Sequence, residues 1–384
     1  MLASCCRNAG WSNIVFPGCG SGQFTPFNKM NKMLLFITSI IAFAPVPLMA
    51  ADAPAPSGPY HFIKDIHIGG VANTDYLTVD SAGQRLYVSH GTSVAVIDLA
   101  KDEMVGEVSG FTSVHGIAIA PKLGLGYVSD GRGNKVSIFD LKTLKVTKTV
   151  DTGSNPDWIV YEPSTNEVYV CNGSSRSISA FDATSGNVTA TIDIGGGRPE
   201  TAQVDPKSGM LYDNLEDKFS MAVVDLKTHK MVGTPWPAVA GKGGSGLAID
   251  VEHHKLILGC EDTMAMMDTT TGKVVATLPA ATGIDSAAFD PGTQLAFTPG
   301  GTSGTVTIAK EDGNKLTLVQ TLTTAPGAKT MAVDPSTHKI YLATVQFQPA
   351  AAASASTTPA ARPTRGTPVA DSFHVLVYGM DEKK

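Results

Sequence analysis

Seven ionisable or polar residues recur along the chain at the same point of a repeated pattern. Each lies five positions before the residue that ends a short apolar run. We call them the ring residues: Asp75, His115, Asp157, Glu200, Ser245, Asp285 and Lys329. Core packing does not require carboxylates, a histidine and a lysine at equivalent positions. Polar groups that converge in a concave site and perturb one another's ionisation are typical of binding and active sites.

Loops expected beside the ring residues add His90, Asp130, Asn172 and Arg198. A hard cation such as Ca²⁺ takes six or more oxygen ligands, which the carboxylates and an Asn side chain would supply. A transition metal prefers imidazole with one or two carboxylates. A third interpretation is a wet channel mouth in which basic side chains neutralise the acids. The sequence leaves all three open.

The candidate ligand-binding residues are Asp75, His90, His115, Asp130, Asp157, Asn172, Arg198, Glu200, Asp285 and Lys329. A divalent metal is the one cofactor that this set suggests. Its candidate ligands are Asp157, Glu200 and His115.

The elements that position these residues repeat every 40 to 45 residues. Residues 158–201 hold four short runs rich in β-branched and aromatic residues, separated by turn sequences. Such runs predict strands, and short turns make consecutive strands antiparallel. Seven copies predict an all-β fold, a seven-bladed β-propeller of four-stranded antiparallel blades, because one small sheet cannot bury both of its faces alone. The first strand of each blade would line the central channel, so the ring residues would face one another.

The two ends of the repeat predict how the propeller closes. Residues 60–69 resemble a fourth strand with no unit ahead of it, whereas the last unit lacks its fourth strand. We therefore predict that the N-terminal strand closes the last blade, within a propeller of residues 60–384. Residues 346–370, rich in Ala, Pro, Ser and Thr, predict a low-complexity insertion on the face that carries the ring residues, either as a lid or as a disordered decoration.

The N-terminal region predicts export. A basic segment, an apolar run and a small-residue end make residues 30–50 a secretory signal peptide, followed by a linker at 51–59. Residues 1–29 precede a better start and are interpreted as a mis-assigned upstream extension. The mature chain would be periplasmic or secreted, monomeric, and without a transmembrane segment, since the apolar run is too short to span a bilayer.

Net charge limits the classes of partner, and the cysteine content limits the disulfides, that we expect. The leader contains three of the 29 basic residues (Arg7, Lys29 and Lys32) and none of the 35 acidic ones, so the mature net charge would be −9. Nucleic-acid binding relies on neutralising phosphates, and this acidity argues against such a partner. Cys171 and Cys260 would remain, a whole blade apart, and are predicted to be unpaired.

Five further aspartates end the third strand of their units and are interpreted as structural, because an Asp before a turn accepts hydrogen bonds from the turn backbone. They are Asp98, Asp140, Asp182, Asp225 and Asp268.

The second strands carry the segments Tyr87-Val-Ser-His90, Tyr127-Val-Ser-Asp130 and Tyr169-Val-Cys-Asn172, and 271–275 reads Thr-Gly-Lys-Val-Val. Over roughly residues 60–380 the chain therefore resembles the exported YncE-like, YVTN-repeat β-propellers of bacteria. The resemblance implies a seven-bladed propeller, export, and a role as a binding or surface module. Related propellers include metal-dependent lactonases, but their site motifs do not map onto this sequence.

Two functions follow as hypotheses. The first is a non-catalytic module that binds a small molecule, a metal or a protein partner on the face that carries the ring residues. The alternative is a metal-dependent lactonase, another hydrolase or a lyase that uses the same residues to polarise a carbonyl or activate water.

Overall fold

The computed structural model describes residues 58–70, 73–348 and 367–381. The predicted upstream extension, the signal peptide and most of the linker lie outside these residues, as does the larger part of the predicted insertion. No helix within the described ranges has the length and apolar character that a membrane span requires.

Two short 3₁₀ helices, Pro121–Leu123 and Glu216–Lys218, accompany the strands. In chain order the strands are β1 (Tyr60–His67), β2 (Leu77–Asp80), β3 (Arg85–His90), β4 (Ser93–Asp98), β5 (Glu103–Ser109), β6 (Val114–Ala120), β7 (Leu125–Asp130), β8 (Lys135–Asp140), β9 (Val146–Asp151), β10 (Pro156–Glu162), β11 (Glu167–Asn172), β12 (Ser177–Asp182), β13 (Val188–Asp193), β14 (Pro199–Asp205), β15 (Met210–Leu215), β16 (Ser220–Asp225), β17 (Lys230–Met231), β18 (Trp236–Pro237), β19 (Gly244–Asp250), β20 (Lys255–Cys260), β21 (Thr263–Asp268), β22 (Lys273–Pro279), β23 (Ala288–Asp290), β24 (Leu295–Gly300), β25 (Thr305–Asp312), β26 (Lys315–Thr323), β27 (Met331–Asp334), β28 (Lys339–Thr344) and β29 (His374–Met380).

These strands form seven antiparallel sheets, which confirms the predicted seven-bladed propeller. Blades I, II and III are β2–β5, β6–β9 and β10–β13. Blade IV is β14–β16 with an outer strand divided into the short segments β17 and β18, both paired with β16. Blades V and VI are β19–β22 and β23–β26, and blade VII is ordered β27-β28-β29-β1. The N-terminal strand therefore closes the last blade, as predicted.

The core consists of apolar layers between neighbouring blades. One such layer joins Tyr169, Ile178 and Ile192 of blade III to Leu211 and Val224 of blade IV, all nearly or fully buried. Four of these five residues are β-branched or aromatic, and all lie on pleated strands that are covered on both faces. Burial of a large apolar side chain stabilises a fold by roughly 1.5–3 kcal/mol, so packing between blades supplies the stability that one sheet lacks.

Closure depends on Tyr60 of β1. Its backbone N–H donates to Oε1 of Gln320 in blade VI at 2.9 Å, and its C=O accepts from Nε2 of the same side chain at 2.8 Å. Its hydroxyl donates to the carbonyl of His338, and its ring meets Phe297 edge-on at 5.4 Å. The closing strand is thus fixed to blade VI as well as to its own sheet.

The five aspartates that end the third strands are turn residues, as predicted. Asp98 Oδ1 accepts from the backbone N–H groups of Ala100 and Lys101, and Asp140 Oδ1 accepts from that of Thr143. Their equivalents Asp182, Asp225 and Asp268 accept from the N–H groups of Ser185, Thr228 and Thr271. Cys171 and Cys260 are buried and unpaired, as also predicted.

The first strand of every blade runs away from one face of the propeller, which we call the ring face. Loops between second and third strands, and loops between blades, lie on that face, and the other turns lie on the opposite face. The described base of the insertion is on the ring face: Gln348 donates to the carbonyl of Thr367 and Val369 to that of Gln346.

Candidate functional site

The ring residues lie at the start of the innermost strands. His115, Asp157 and Glu200 belong to β6, β10 and β14, whereas Asp75 precedes β2 by two residues. The innermost strands of neighbouring blades contact each other around the channel. The repeat therefore places one ring residue from each blade around a common mouth, because equivalent positions of the blades have equivalent locations.

Asp75, His115 and Asp157, from three consecutive blades, form a tight group. His115 Nδ1 lies 2.6 Å from Asp75 Oδ2 and 3.6 Å from Asp157 Oδ1. The three side chains offer one ligand atom each, all within 4.8 Å of one another. Gly131 lets the imidazole fit, since a Cβ at that position would lie 2.5 Å from His115 Nε2.

Glu200 extends the group to blade IV. Its Oε2 lies 3.4 Å from Arg198 Nη2, and the other guanidinium nitrogen, Nη1, lies 2.9 Å from Glu216 Oε2. Asp157 and Glu200 are 6% and 8% exposed. Asp157 Oδ1 and Glu200 Oε2 are buried without a hydrogen-bond donor. Such unmet acceptors cost about 1–3 kcal/mol each, and more when they are charged.

Burial and mutual repulsion shift the ionisation of these acids. Burial, together with the charge of Asp75, raises the pKa of Asp157 to about 7, although His115 opposes the shift. Burial and the charge of Asp157 raise the pKa of Glu200 to about 9, although Arg198 opposes it. Burial lowers the pKa of His115, but the hydrogen bond to Asp75 and the charges of Asp157 and Asp75 together outweigh it, and the net shift is upward. The mouth therefore retains protons that ordinary carboxyl groups lose well below neutral pH.

The other side of the mouth is held by an ion pair between Lys329 and Asp285, from blades VII and VI. In blade V the carbonyl of Ser245 accepts a hydrogen bond from the Thr201 hydroxyl. The mouth is thus asymmetric: blades I to IV carry an excess of acid, whereas blades VI and VII carry a neutralised pair.

Beyond the ring residues the channel holds an open cavity of about 370 Å³, whose lining combines apolar side chains such as Ile117 and Val160 with the polar Thr78 and Gln203. Trp158, which follows Asp157, lines the same cavity and meets Tyr76 edge-on at 4.7 Å. Electrostatic interactions are stronger near a protein surface than in bulk water, so a charge at the mouth acts on the acids.

Three predicted ligand-binding residues have structural contacts instead. Asp130 is fully buried and accepts from the backbone N–H groups of Thr112, Ser113 and Gly133. His90 Nε2 lies 3.2 Å from the Gly69 carbonyl.

The third of these residues, Asn172, is also fully buried, and its Nδ2 donates to Ser177 and Ser179. These contacts fix the loops of the ring face. The described contacts therefore place these three residues in the loops around the mouth, whereas Arg198 pairs with the ring residue Glu200. The structure groups Asp75, rather than Glu200, with the predicted metal ligands His115 and Asp157.

Asp213 is a fully buried carboxyl behind this mouth that the sequence reasoning missed. Its Oδ1 accepts from Cys171 Sγ at 3.5 Å, and burial raises its pKa well above the usual range. The repeat contained a signal for it, because the equivalent positions in blades I to III are Val88, Val128 and Val170.

Comparison with protein-family models gives no match. No curated protein matches the chain either. Among solved structures, the chain is similar to a chain of Kuenenia stuttgartiensis hydrazine synthase, with a TM-score of 0.64, 17% sequence identity, and coverage of 73% of this chain and 96% of that one. At this identity the likeness shows the propeller fold alone.

Proposed function

We propose that this chain is an exported binding module whose channel mouth takes up a small cationic ligand, with a divalent metal ion as the first candidate. One observation carries the proposal. Asp157 and Glu200, on adjacent blades, each hold a buried carboxylate oxygen that receives no hydrogen bond, and Arg198 pairs with that of Glu200 only through an ion pair at 3.4 Å. A cation bound between them would supply the missing interaction and replace the protons that the mouth retains at neutral pH.

The donor set supports a metal ion in particular. Asp75, His115 and Asp157 would provide two carboxylate oxygens and one imidazole nitrogen, a mixture that suits first-row metals such as Zn²⁺ or Mn²⁺ better than Ca²⁺. Nδ1 of His115 would bind the metal in place of its hydrogen bond to Asp75. Glu200 would stay close enough to strengthen binding through its charge.

Export and family membership belong to the same proposal. The predicted leader at 30–50 and the YVTN-like second strands, such as Tyr169-Val-Cys-Asn172, support an exported, YncE-like propeller in the periplasm or outside the cell. We also propose that the mature chain is a monomer, since closure by β1 leaves no open blade for a partner to complete. Light scattering of the purified chain tests this state directly.

The experiment that tests the site measures Zn²⁺, Mn²⁺ and Ca²⁺ binding by calorimetry to the chelator-treated mature chain. We expect that Asp157→Asn and Glu200→Gln each weaken binding of the preferred metal at least about tenfold, the size typical of losing a ligand or its close support. Asp98→Asn, a surface turn variant, is the matched control. Binding should release protons at pH 7, because the metal displaces them.

Wild-type affinity in both site variants, or no binding by the wild type, would refute the cation site and favour a protein or neutral ligand. Turnover of lactones or esters by the metal-loaded protein would instead support the hydrolase alternative.

A further inference from the structure

A second group of ligand-type side chains lies on the face opposite the ring residues. Asp250 ends β19 of blade V, His253 lies in the turn that follows, and Glu311 lies near the end of β25 in blade VI. Their ligand atoms are all within 4.8 Å of one another. The group therefore joins two neighbouring blades.

One oxygen of the Asp250 carboxylate has a structural role in the turn, and the other is paired with His253. Asp250 Oδ1 accepts from the backbone N–H groups of Glu252 and His253, as its equivalents Asp205 and Asp334 do in their own turns. Its Oδ2 lies 2.6 Å from Nδ1 of His253. The turn thus fixes the Asp250 carboxylate while its second oxygen faces the imidazole.

Glu311 is the member that a structural role does not explain. The backbone N–H of Glu311 donates to the carbonyl of Gln294. In blade I the backbone N–H of Leu99 donates to the carbonyl of Gln84 in the same way, so Glu311 and Leu99 occupy equivalent positions. The equivalent residues in blades II and IV are Leu141 and Leu226. In blades III and V the equivalent residues are Ala183 and Thr269, so among blades I to VI only blade VI places a carboxylate at this position.

The Glu311 side chain has no donor for its buried oxygen. The residue is 3% exposed, and its Oε2 is buried without a hydrogen-bond partner. Burial and the charge of Asp250 raise the pKa of Glu311 to about 7. Lys255, the cation on the neighbouring strand, donates to Asp268 Oδ2 and to the His253 carbonyl. A buried carboxylate beside another one is costly unless a proton or a cation lies between them.

We propose that Asp250, His253 and Glu311 form a second divalent-metal site that links blades V and VI. Two carboxylates and one imidazole select a first-row metal of the zinc or manganese class over Ca²⁺. Three protein ligands leave a further coordination position for water, on the side where the His253 side chain is half exposed. On binding, His253 Nδ1 releases its proton and donates its lone pair to the metal.

The site is independent of the one proposed at the channel mouth, and the test keeps them apart. Zn²⁺ is titrated into the chelator-treated mature chain carrying Asp157→Asn, so that binding reports on the second group. In that background we compare Glu311→Leu, which installs the residue found in blades I, II and IV, with the unmodified position. His253→Asn is compared with His254→Asn, which alters the adjacent histidine of the same turn.

We expect Glu311→Leu and His253→Asn each to weaken Zn²⁺ binding at least about tenfold, and His254→Asn to leave it unchanged. Zn²⁺ should also raise the melting temperature, and Glu311→Leu should abolish that rise without lowering the melting temperature in chelator, since leucine removes a buried carboxyl oxygen that has no hydrogen-bond partner. Equal Zn²⁺ affinity in all variants, or no binding in the Asp157→Asn background, would overturn the second site. Binding lost only through Asp157→Asn would leave the channel-mouth proposal standing and remove this one.

Discussion

Replacing Asp157 by Asn should change how the stability of the metal-free protein depends on pH. In the folded chain this carboxyl keeps its proton up to pH about 7, whereas in the unfolded chain it loses the proton near 3.8. Between these values the folded state binds more protons than the unfolded state. The free energy of unfolding contributed by Asp157 therefore falls as the pH rises, and is lowest above pH 7. An amide at this position cannot ionise and removes the decline.

The magnitude follows from the shift in pKa. A pKa shift of about three units, at roughly 1.4 kcal/mol each, lowers the free energy of unfolding by on the order of 4 kcal/mol at pH 8. Full burial of the group means that solvent screening reduces this value little. Denaturant unfolding with chelator present, followed by tryptophan fluorescence, measures it. We expect the Asp157→Asn variant to match the wild type at pH 4 and to exceed it increasingly up to pH 8.

Asp98→Asn is the control, because its effect on stability should depend on pH in the opposite direction. Desolvation raises the pKa of Asp98, but hydrogen bonds from the backbone N–H groups of Lys101 and Ala100 lower it, and the net shift is downward. Its contribution to stability is therefore present above the ordinary pKa and is lost as the pH falls. That variant should be less stable than the wild type at neutral pH and converge with it in acid. Parallel pH curves for Asp157→Asn and the wild type would refute the reasoning.

Three further predictions concern the same mouth and the closure of the propeller. Gly131→Ala should weaken metal binding at the mouth roughly tenfold or more by displacing His115, as calorimetry would show, while unchanged affinity would contradict this contact. Lys329→Gln should strengthen divalent-cation binding severalfold, because it removes a positive charge that competes for the acids; weaker binding would show that the lysine supports the site. Gln320→Ala should lower the free energy of unfolding by roughly 2–4 kcal/mol, since both backbone groups of Tyr60 lose their buried partner, and a change under about 1 kcal/mol would show that this contact does not secure the closing strand.

The sequence predicted the fold well because the same strand and turn pattern occurs seven times. Seven markers at nearly equal spacing specify the number of blades, and the unmatched segment at 60–69 specifies the closure. Blade IV shows where a repeat is less informative. Its outer strand is divided into Lys230–Met231 and Trp236–Pro237, because the chain there lacks a continuous run of β-branched residues.

The site was predicted only in part, for a physical reason. Counting positions along the repeat found every ring residue, since equivalent positions have equivalent locations. It did not show that Asp75 would lie closer to His115 than Asp157 does, which depends on rotamers and on the space left by Gly131. It also treated Asp130 as a ligand, although loop geometry satisfies that carboxylate with backbone N–H groups.

The two most informative residues are those that depart from the repeat. Asp213 and Glu311 each place a carboxyl where the equivalent positions of several other blades hold Val or Leu, so each costs stability that an apolar residue would not. Hydrogen bonds from Cys171 and from the backbone N–H of Glu200 offset part of the destabilisation that the buried Asp213 carboxyl causes. Glu311 has a second carboxylate, that of Asp250, as its neighbour, and its Oε2 receives no hydrogen bond. Both carboxyls keep one buried oxygen without a hydrogen bond, Asp213 Oδ2 and Glu311 Oε2. Of the two, Glu311 is the one that lies beside a second carboxylate and an imidazole, and the Glu311→Leu comparison tests whether that group binds a cation.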